Sequence, residues 1–229
     1  MRRQRPSKTK GVLGIKSEIL RIIRLFWGLF LYSVGIVLTI HANIGLSPWD
    51  VFHQGVAKQL GITMGITNIL VSAIIITVSA LFRERIGFGT VCNMISIGIF
   101  IDILMLGGFI PVMSSFLPGV VMLIAGLFTI ALATYFYVGA GYGAGPRDSL
   151  MIMLTKRTGR PVGLCRSVVE GSVLAIGWLL GGKAGIGTVI SAFGMGFAIQ
   201  AVFTPLRFNV REVKHESLPE TIRRWRGIN

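Results

Sequence analysis

Residues 45–50 read Gly45-Leu46-Ser47-Pro48-Trp49-Asp50, and 98 residues later the chain returns as Gly143-Ala144-Gly145-Pro146-Arg147-Asp148. Gly, Pro and Asp keep their spacing, and the register runs on without a gap. Lys58, Gly61 and Gly65 correspond to Lys156, Gly159 and Gly163. Gly87, Gly89, Thr90 and Val91 correspond to Gly185, Gly187, Thr188 and Val189, and Gly28-Leu29-Phe30 to Gly126-Leu127-Phe128. Residues 28–103 and 126–201 share 18 identities in 76 positions. Aligned apolar segments inflate chance identity, but chance does not hold Gly, Pro and Asp in one register. The chain reads as a duplicated half.

Charged residues make up 14% of the chain and apolar ones 52%, against roughly 25% charged in a soluble domain. So little charge does not cover a soluble surface. Residues 59–82 and 184–206 carry no charge, and 86–146 carry only Asp102. A spanning helix needs about 20 mostly apolar residues, and the alternation of a membrane β-barrel is absent. The reading is an all-α polytopic membrane protein with six transmembrane helices, at about 22–42, 64–82, 86–106, 118–140, 162–181 and 186–206.

The net charge of +14 does not point to nucleic acid, because the cations sit in tails and short connections. With the N-terminus inside, 21 of the 23 Lys and Arg residues fall on inner segments, and only Lys58 and Lys183 fall outside. That split places both termini in the cytoplasm and makes anionic lipid headgroups the expected counter-charge. A basic tail (1–24) precedes repeat 1 (25–110) and repeat 2 (111–206), and a basic tail (207–229) follows. The first residues are expected to be disordered. Residues 12–25 space Ile and Leu among Lys and Arg as a surface-lying amphipathic lead-in would. No small-residue cleavage site follows the first apolar stretch, so it is kept as a span.

Each repeat holds three spans and a short helix that does not cross. Ser47 or Gly145 stands as N-cap, Pro48 or Pro146 as first helical residue, and Asp50 or Asp148 in the first turn near free N–H groups. Three is odd, so the second half enters from the opposite leaflet and the two repeats are inverted. Secondary transporters use such repeats, with a substrate site where they meet.

The candidate site residues follow. The paired turns with Gly45, Ser47, Pro48, Asp50, Gly143, Gly145, Pro146 and Asp148 either form an ion or anion site or simply start two helices. Trp49 aligned with Arg147 suits interfacial anchoring at opposite faces. Glu170 falls about 12 Å along the fifth span, where a charge is a functional hypothesis. Arg166, one turn earlier on the same face, either neutralises it structurally or shares its role. The repeat partner of Glu170 is Ser72, so this feature is asymmetric. Asp102 is expected near the outer interface, Asn93 in helix packing, and His41 and His53 near the outer surface. Cys92 and Cys165 are read as reduced packing residues. No metal site, cofactor fingerprint or nucleophile–base pair is visible, so neither an enzyme nor a cofactor is expected.

The run Gly143-Ala144-Gly145-Pro146-Arg147-Asp148-Ser149-Leu150, then Thr158-Gly159-Arg160-Pro161-Val162-Gly163, then Gly185-Ile186-Gly187-Thr188-Val189, resembles the bacterial YczE-like membrane proteins of the wider YczE/YitT group. The likeness spans roughly residues 25–205. YitT-type members carry a soluble C-terminal domain, which residues 207–229 are too few to form. The resemblance implies an integral membrane protein of transporter or exporter type and supplies no catalytic residue. Two expectations remain: a small secondary transporter, or a non-transporting scaffold that docks a cytoplasmic partner. Small size suggests a homodimer.

Overall fold

A computed structural model describes residues 8–226, with side chains from residue 17 onward except Arg211. Nine α-helices occur among the described residues: α1 Lys8–His41, α2 Pro48–Leu60, α3 Met64–Leu81, α4 Phe88–Leu106, α5 Phe116–Gly139, α6 Pro146–Thr158, α7 Val162–Leu179, α8 Ile186–Phe203 and α9 Leu218–Trp225. Six segments are long and apolar enough to cross a membrane: Ser17–His41 of α1, and α3, α4, α5, α7 and α8. The protein is a multi-pass membrane protein. The spans read from the sequence coincide with these helices to within a few residues. The expected amphipathic lead-in is not a separate element, because α1 runs unbroken from Lys8 to His41. No proline interrupts that stretch, so nothing removes a backbone donor and stops the helix. Of the expected disordered start, residues 1–7 lie outside the described residues.

At 13 residues each, α2 and α6 are too short to cross. Both start on proline after an extended cap residue and end on a left-handed glycine, Gly61 at φ 66° and Gly159 at φ 64°. The expected N-cap role of Ser47 is corrected in one respect. Its hydroxyl does not cap the helix but donates to Oδ2 of Asp50 at 2.5 Å.

The two halves hold each other by exchanged contacts. The Gly187 N–H donates to the Ile44 carbonyl at 2.8 Å, and the Gly89 N–H donates to the Tyr142 carbonyl at 2.7 Å. Ile44 and Tyr142 are 98 residues apart, and so are Gly89 and Gly187. Gly45 and Gly143, beside those carbonyls, share one backbone conformation, φ 120° and φ 119°. Only glycine adopts it without strain. The central seam is α1 against α5. A methyl at Gly28 would lie 2.6 Å from the Tyr137 nitrogen, and one at Gly126 would lie 2.7 Å from Thr39 Cγ2. Thr39 and Tyr137 are again counterparts. Leu25, Leu29, Ile36 and Val37 of α1 bury there with Ile130, Tyr137 and Val138 of α5 and Ile97 and Ile101 of α4.

The C-terminal segment is not a free tail. Past α8 it turns back, and Glu216 N–H donates to the Gly141 carbonyl at 3.0 Å and Leu218 N–H to the Ile86 carbonyl at 2.8 Å. Glu18 of α1 gathers the ends. It accepts from Arg224 at 2.8 Å, from Trp225 Nε1 at 2.7 Å and from the Tyr142 hydroxyl. Trp225 meets Phe88 edge to face with centroids 4.9 Å apart, and Thr221 is fully buried. Burial, with the bond to Glu18 adding to it, pushes the Tyr142 hydroxyl up to about 12. This collar closes the end of the molecule where Lys156 meets Glu84 at 2.6 Å. At the opposite end, Lys58 donates to the Gly181 carbonyl at 2.6 Å.

Candidate functional site

The start of α2 and the start of α6 face one cavity of about 530 Å³, with a smaller chamber of about 100 Å³ beside it. The larger volume is within the usual range for small-molecule pockets, about 300–1,000 Å³. Asp50, Arg147, Asp148, Arg166 and Glu170 all line the larger cavity, and Ser47 and Pro48 line it too. Gly145 and Pro146 line the smaller chamber. Gly45 and Gly143 stand behind it, against the backbones of Gly185 and Gly87.

Trp49 and Arg147 are not anchors at opposite faces. The Arg147 guanidinium carbon lies 4.9 Å from the Trp49 ring centre, and Trp49 is buried. The anchoring expectation failed because composition gives the leaflet from which a turn starts and not how deep it dips. Both short helices dip far enough to meet. Arg147 makes no ion pair or hydrogen bond with any described residue. Its five N–H donors are left to the cavity.

The carboxylates differ from one another. Asp50 is buried, accepts from Ser47, and has His53 Nδ1 3.8 Å from its Oδ1. His53 is buried as well, and its Nε2 has no hydrogen-bond partner among the described residues. Asp148 accepts from the Tyr137 hydroxyl at 3.2 Å and is otherwise open to the cavity. Glu170 accepts from Arg166 Nε at 2.8 Å. The pair is therefore formed, and both members also line the cavity, so the two readings of it are compatible.

Three residues at the site, Asn68, Tyr32 and Tyr137, escaped the sequence reading, and Ser72 entered it only as the repeat partner of Glu170. Asn68 and Ser72 of α3 line the smaller chamber. They are the 98-residue counterparts of Arg166 and Glu170, so one wall is charged and its twin is neutral. The repeat register contained that signal. Tyr32 and Tyr137, edge to face with centroids 6.0 Å apart, had no local signal. Asn93, expected to pack, also lines the chamber.

Asp102 lies away from the cavity. It accepts from the Thr63 hydroxyl at 2.5 Å and from the Gly65 N–H at 2.8 Å, clasping α3 to α4. His41 is buried, with Nδ1 2.7 Å from the Ile110 carbonyl. No group of three His, Cys, Asp or Glu residues among those described is placed to hold a metal. Cys92 is half-buried and Cys165 buried, both as free thiols.

A family model described as "Family of unknown function (DUF6198)" matches residues 19–204. The chain is 35% identical over 184 residues to the uncharacterized membrane protein YczE of Bacillus subtilis (strain 168), covering 80% of this chain and 85% of that one. It is 31% identical over 176 residues to an uncharacterized protein of Haemophilus influenzae, covering 77% and 80% of the two chains. It is 29% identical over 182 residues to the uncharacterized protein YyaS of Bacillus subtilis, covering 78% and 90%. No solved structure matches the chain.

Proposed function

The chain belongs to the family of unknown function DUF6198, and we propose that it is a small secondary transporter or exporter with one substrate site where two inverted three-span halves meet. The observation that carries this reading is the Arg147 guanidinium, stacked on Trp49 and without a hydrogen bond or ion pair to any described residue, in a cavity lined by the starts of two helices that each begin on proline. A guanidinium whose N–H groups bond no described residue is suited to a planar anion, which it binds by two parallel hydrogen bonds. The substrate class is therefore a small solute with a carboxylate or similar anionic group. Asp148 and Glu170 supply acceptors for a cationic group on that solute or for a coupling proton. In this reading both ends and most of the basic residues face the cytoplasm. Anionic lipids and a second copy of the chain are its partners there.

Flux in proteoliposomes tests it. Purified protein is offered a panel of small organic anions and their neutral analogues, with and without a pH gradient. The expected result is uptake of at least one anion and of no neutral analogue, with the uptake driven by a pH gradient cut on the order of 100-fold in Glu170→Gln while the variant stays folded. Absence of flux for every anion from folded, oriented protein overturns the proposal. The scaffold reading has less support. Arg224 is engaged by Glu18 at 2.8 Å, and Arg157 lies 4.8 Å over the Phe82 ring, so part of the basic face is already occupied.

A further inference from the structure

Each pairing of helices in one half has its counterpart in the other, with one exception. The packing of α1 on α4 repeats as α5 on α8, α2 on α3 as α6 on α7, and α2 on α7 as α6 on α3. Even the light touch of α2 on α8 recurs as α6 on α4. But α3 packs along α4, and α7 and α8 do not pack along each other.

The glycines show the difference atom by atom. Between α3 and α4 the helices meet at Gly65 and Gly98, where a methyl on Gly98 would lie 2.6 Å from the Gly65 carbonyl oxygen. Their counterparts are Gly163 and Gly196, and a methyl on either would meet nothing within 4 Å. The sequence thus carries the same close-contact surfaces twice, and only one pair is in use. The unused pair lines the cavity together with Ser167 on α7 and Phe193 on α8, and all four residues are exposed, so that side of the cavity is uncovered. The closed side also has the Asp102 clasp on Thr63 and Gly65. At the matching positions the open side has Gln200 and Pro161, so it lacks the carboxylate and the hydroxyl.

We propose that the two glycine seams are the alternating gates of the cavity, with Asp102 as the latch on the shut one. This rests on the transporter reading above. In the state described, the α3–α4 seam is latched and the cavity opens between α7 and α8. In the other state, α7 moves onto α8 through Gly163 and Gly196, and α3 releases α4. The exchange needs no new surface, because each seam is a copy of the other. The hairpins α2–α3 and α6–α7 move, and the α1, α4, α5 and α8 helices stay as the frame.

The test uses the full-length protein in liposomes, with Cys92→Ser and Cys165→Ser as background and Gly163→Cys and Gly196→Cys as the reporter pair. A disulfide forms only when the Cα atoms come within roughly 7 Å, so its rate reads the closed population of α7–α8. Breaking the latch with Asp102→Asn, or separately with Thr63→Ala, is expected to raise that rate about 10-fold, since hydrogen bonds to a charged group hold roughly one such factor. Locking the pair is expected to shield a third cysteine, Ser167→Cys, from a soluble maleimide. Equal rates with the latch intact and broken overturn the proposal, and so does unchanged labelling at Ser167→Cys after locking. Neither readout needs a substrate, so the two readings fail separately. Anion flux without latch-dependent locking removes the gate alone. Latch-dependent locking without any flux removes transport and leaves the movement.

Discussion

The Arg147 guanidinium carbon sits 4.9 Å from the centre of the Trp49 ring, and the two residues occupy the same position of the repeat. A contact between equivalent positions lies where the halves meet. One half supplies a cation and the other an aromatic face, so the meeting point is cationic on one side only. The exchange of Trp for Arg at this one position makes the cavity a site with a direction.

Arg147→Gln is expected to weaken anion binding about 30-fold, or roughly 2 kcal/mol, the worth of hydrogen bonds to a charged group. Trp49→Ala should cost less, about 1 kcal/mol, because it removes only the stacking face. Isothermal titration with a transported anion reads both. Equal losses for the two variants would mean that Trp49 contacts the anion itself.

Arg166 and Glu170 pair at 2.8 Å and both line the cavity. Glu170→Gln is expected to cut proton-driven flux on the order of 100-fold while leaving counterflow exchange measurable. Arg166→Gln should slow both. Thermal melting should move little in either, since the pair is partly exposed and exposed pairs contribute little to stability. A collapse of melting temperature in Glu170→Gln alone would make the pair structural.

Gly45 and Gly143 hold φ 120° and φ 119° against the backbone of the other half. A side chain at Gly45 would lie 2.7 Å from the Gly185 nitrogen, and one at Gly143 would lie 2.7 Å from Gly87 Cα. Each Gly→Ala change is expected to destabilise by about 2–4 kcal/mol, strain and overlap together. Chemical unfolding in detergent measures it. Substantial loss at one position and none at the other would break the equivalence of the two turns.

The C-terminal collar predicts a pH dependence. Burial holds the His215 imidazole below its ordinary value of 6.5, and the Asp148 carboxylate opposes that shift without cancelling it. A depressed histidine binds fewer protons folded than unfolded, so stability rises with pH through this window. Stability is fully present above about 6.5 and is lost as pH falls below it. Melting at pH 5.5 should therefore be lower than at pH 7.5, and His215→Gln should flatten the difference. Deleting residues 209–229 removes the Trp225–Phe88 contact and the Arg224 and Trp225 bonds to Glu18. That deletion is expected to cost about 2 kcal/mol. Loss of activity on tail deletion is thus no evidence for a docked partner.

How much was legible depended on the range of the interaction. Pro48 and Pro146 set their helices by local backbone chemistry, and the spans follow from unbroken apolar length, so both could be read directly. The Arg166–Glu170 pair is one helical turn apart and was equally plain. Tyr137 with Asp148 lies across a helix-to-turn corner, and Trp49 with Arg147 joins two halves of the chain. No local pattern encodes such distances. The docked tail was missed because residues 207–226 are polar on average, and its hold on the body rests on few side chains: Trp225, Arg224 and Glu216. Asn68 and Ser72 were recoverable, since the repeat register already placed them opposite charged partners.

The exchanged bonds at Ile44 and Tyr142 have a consequence for how the molecule is assembled. Each half keeps an acceptor whose donor belongs to its sibling. Expressed alone, residues 1–110 would leave the Ile44 carbonyl bare and Gly45 with no backbone to rest on. A severed chain regains its turns only by recombination, so co-expressed fragments should associate in the bilayer and each should be degraded when made by itself.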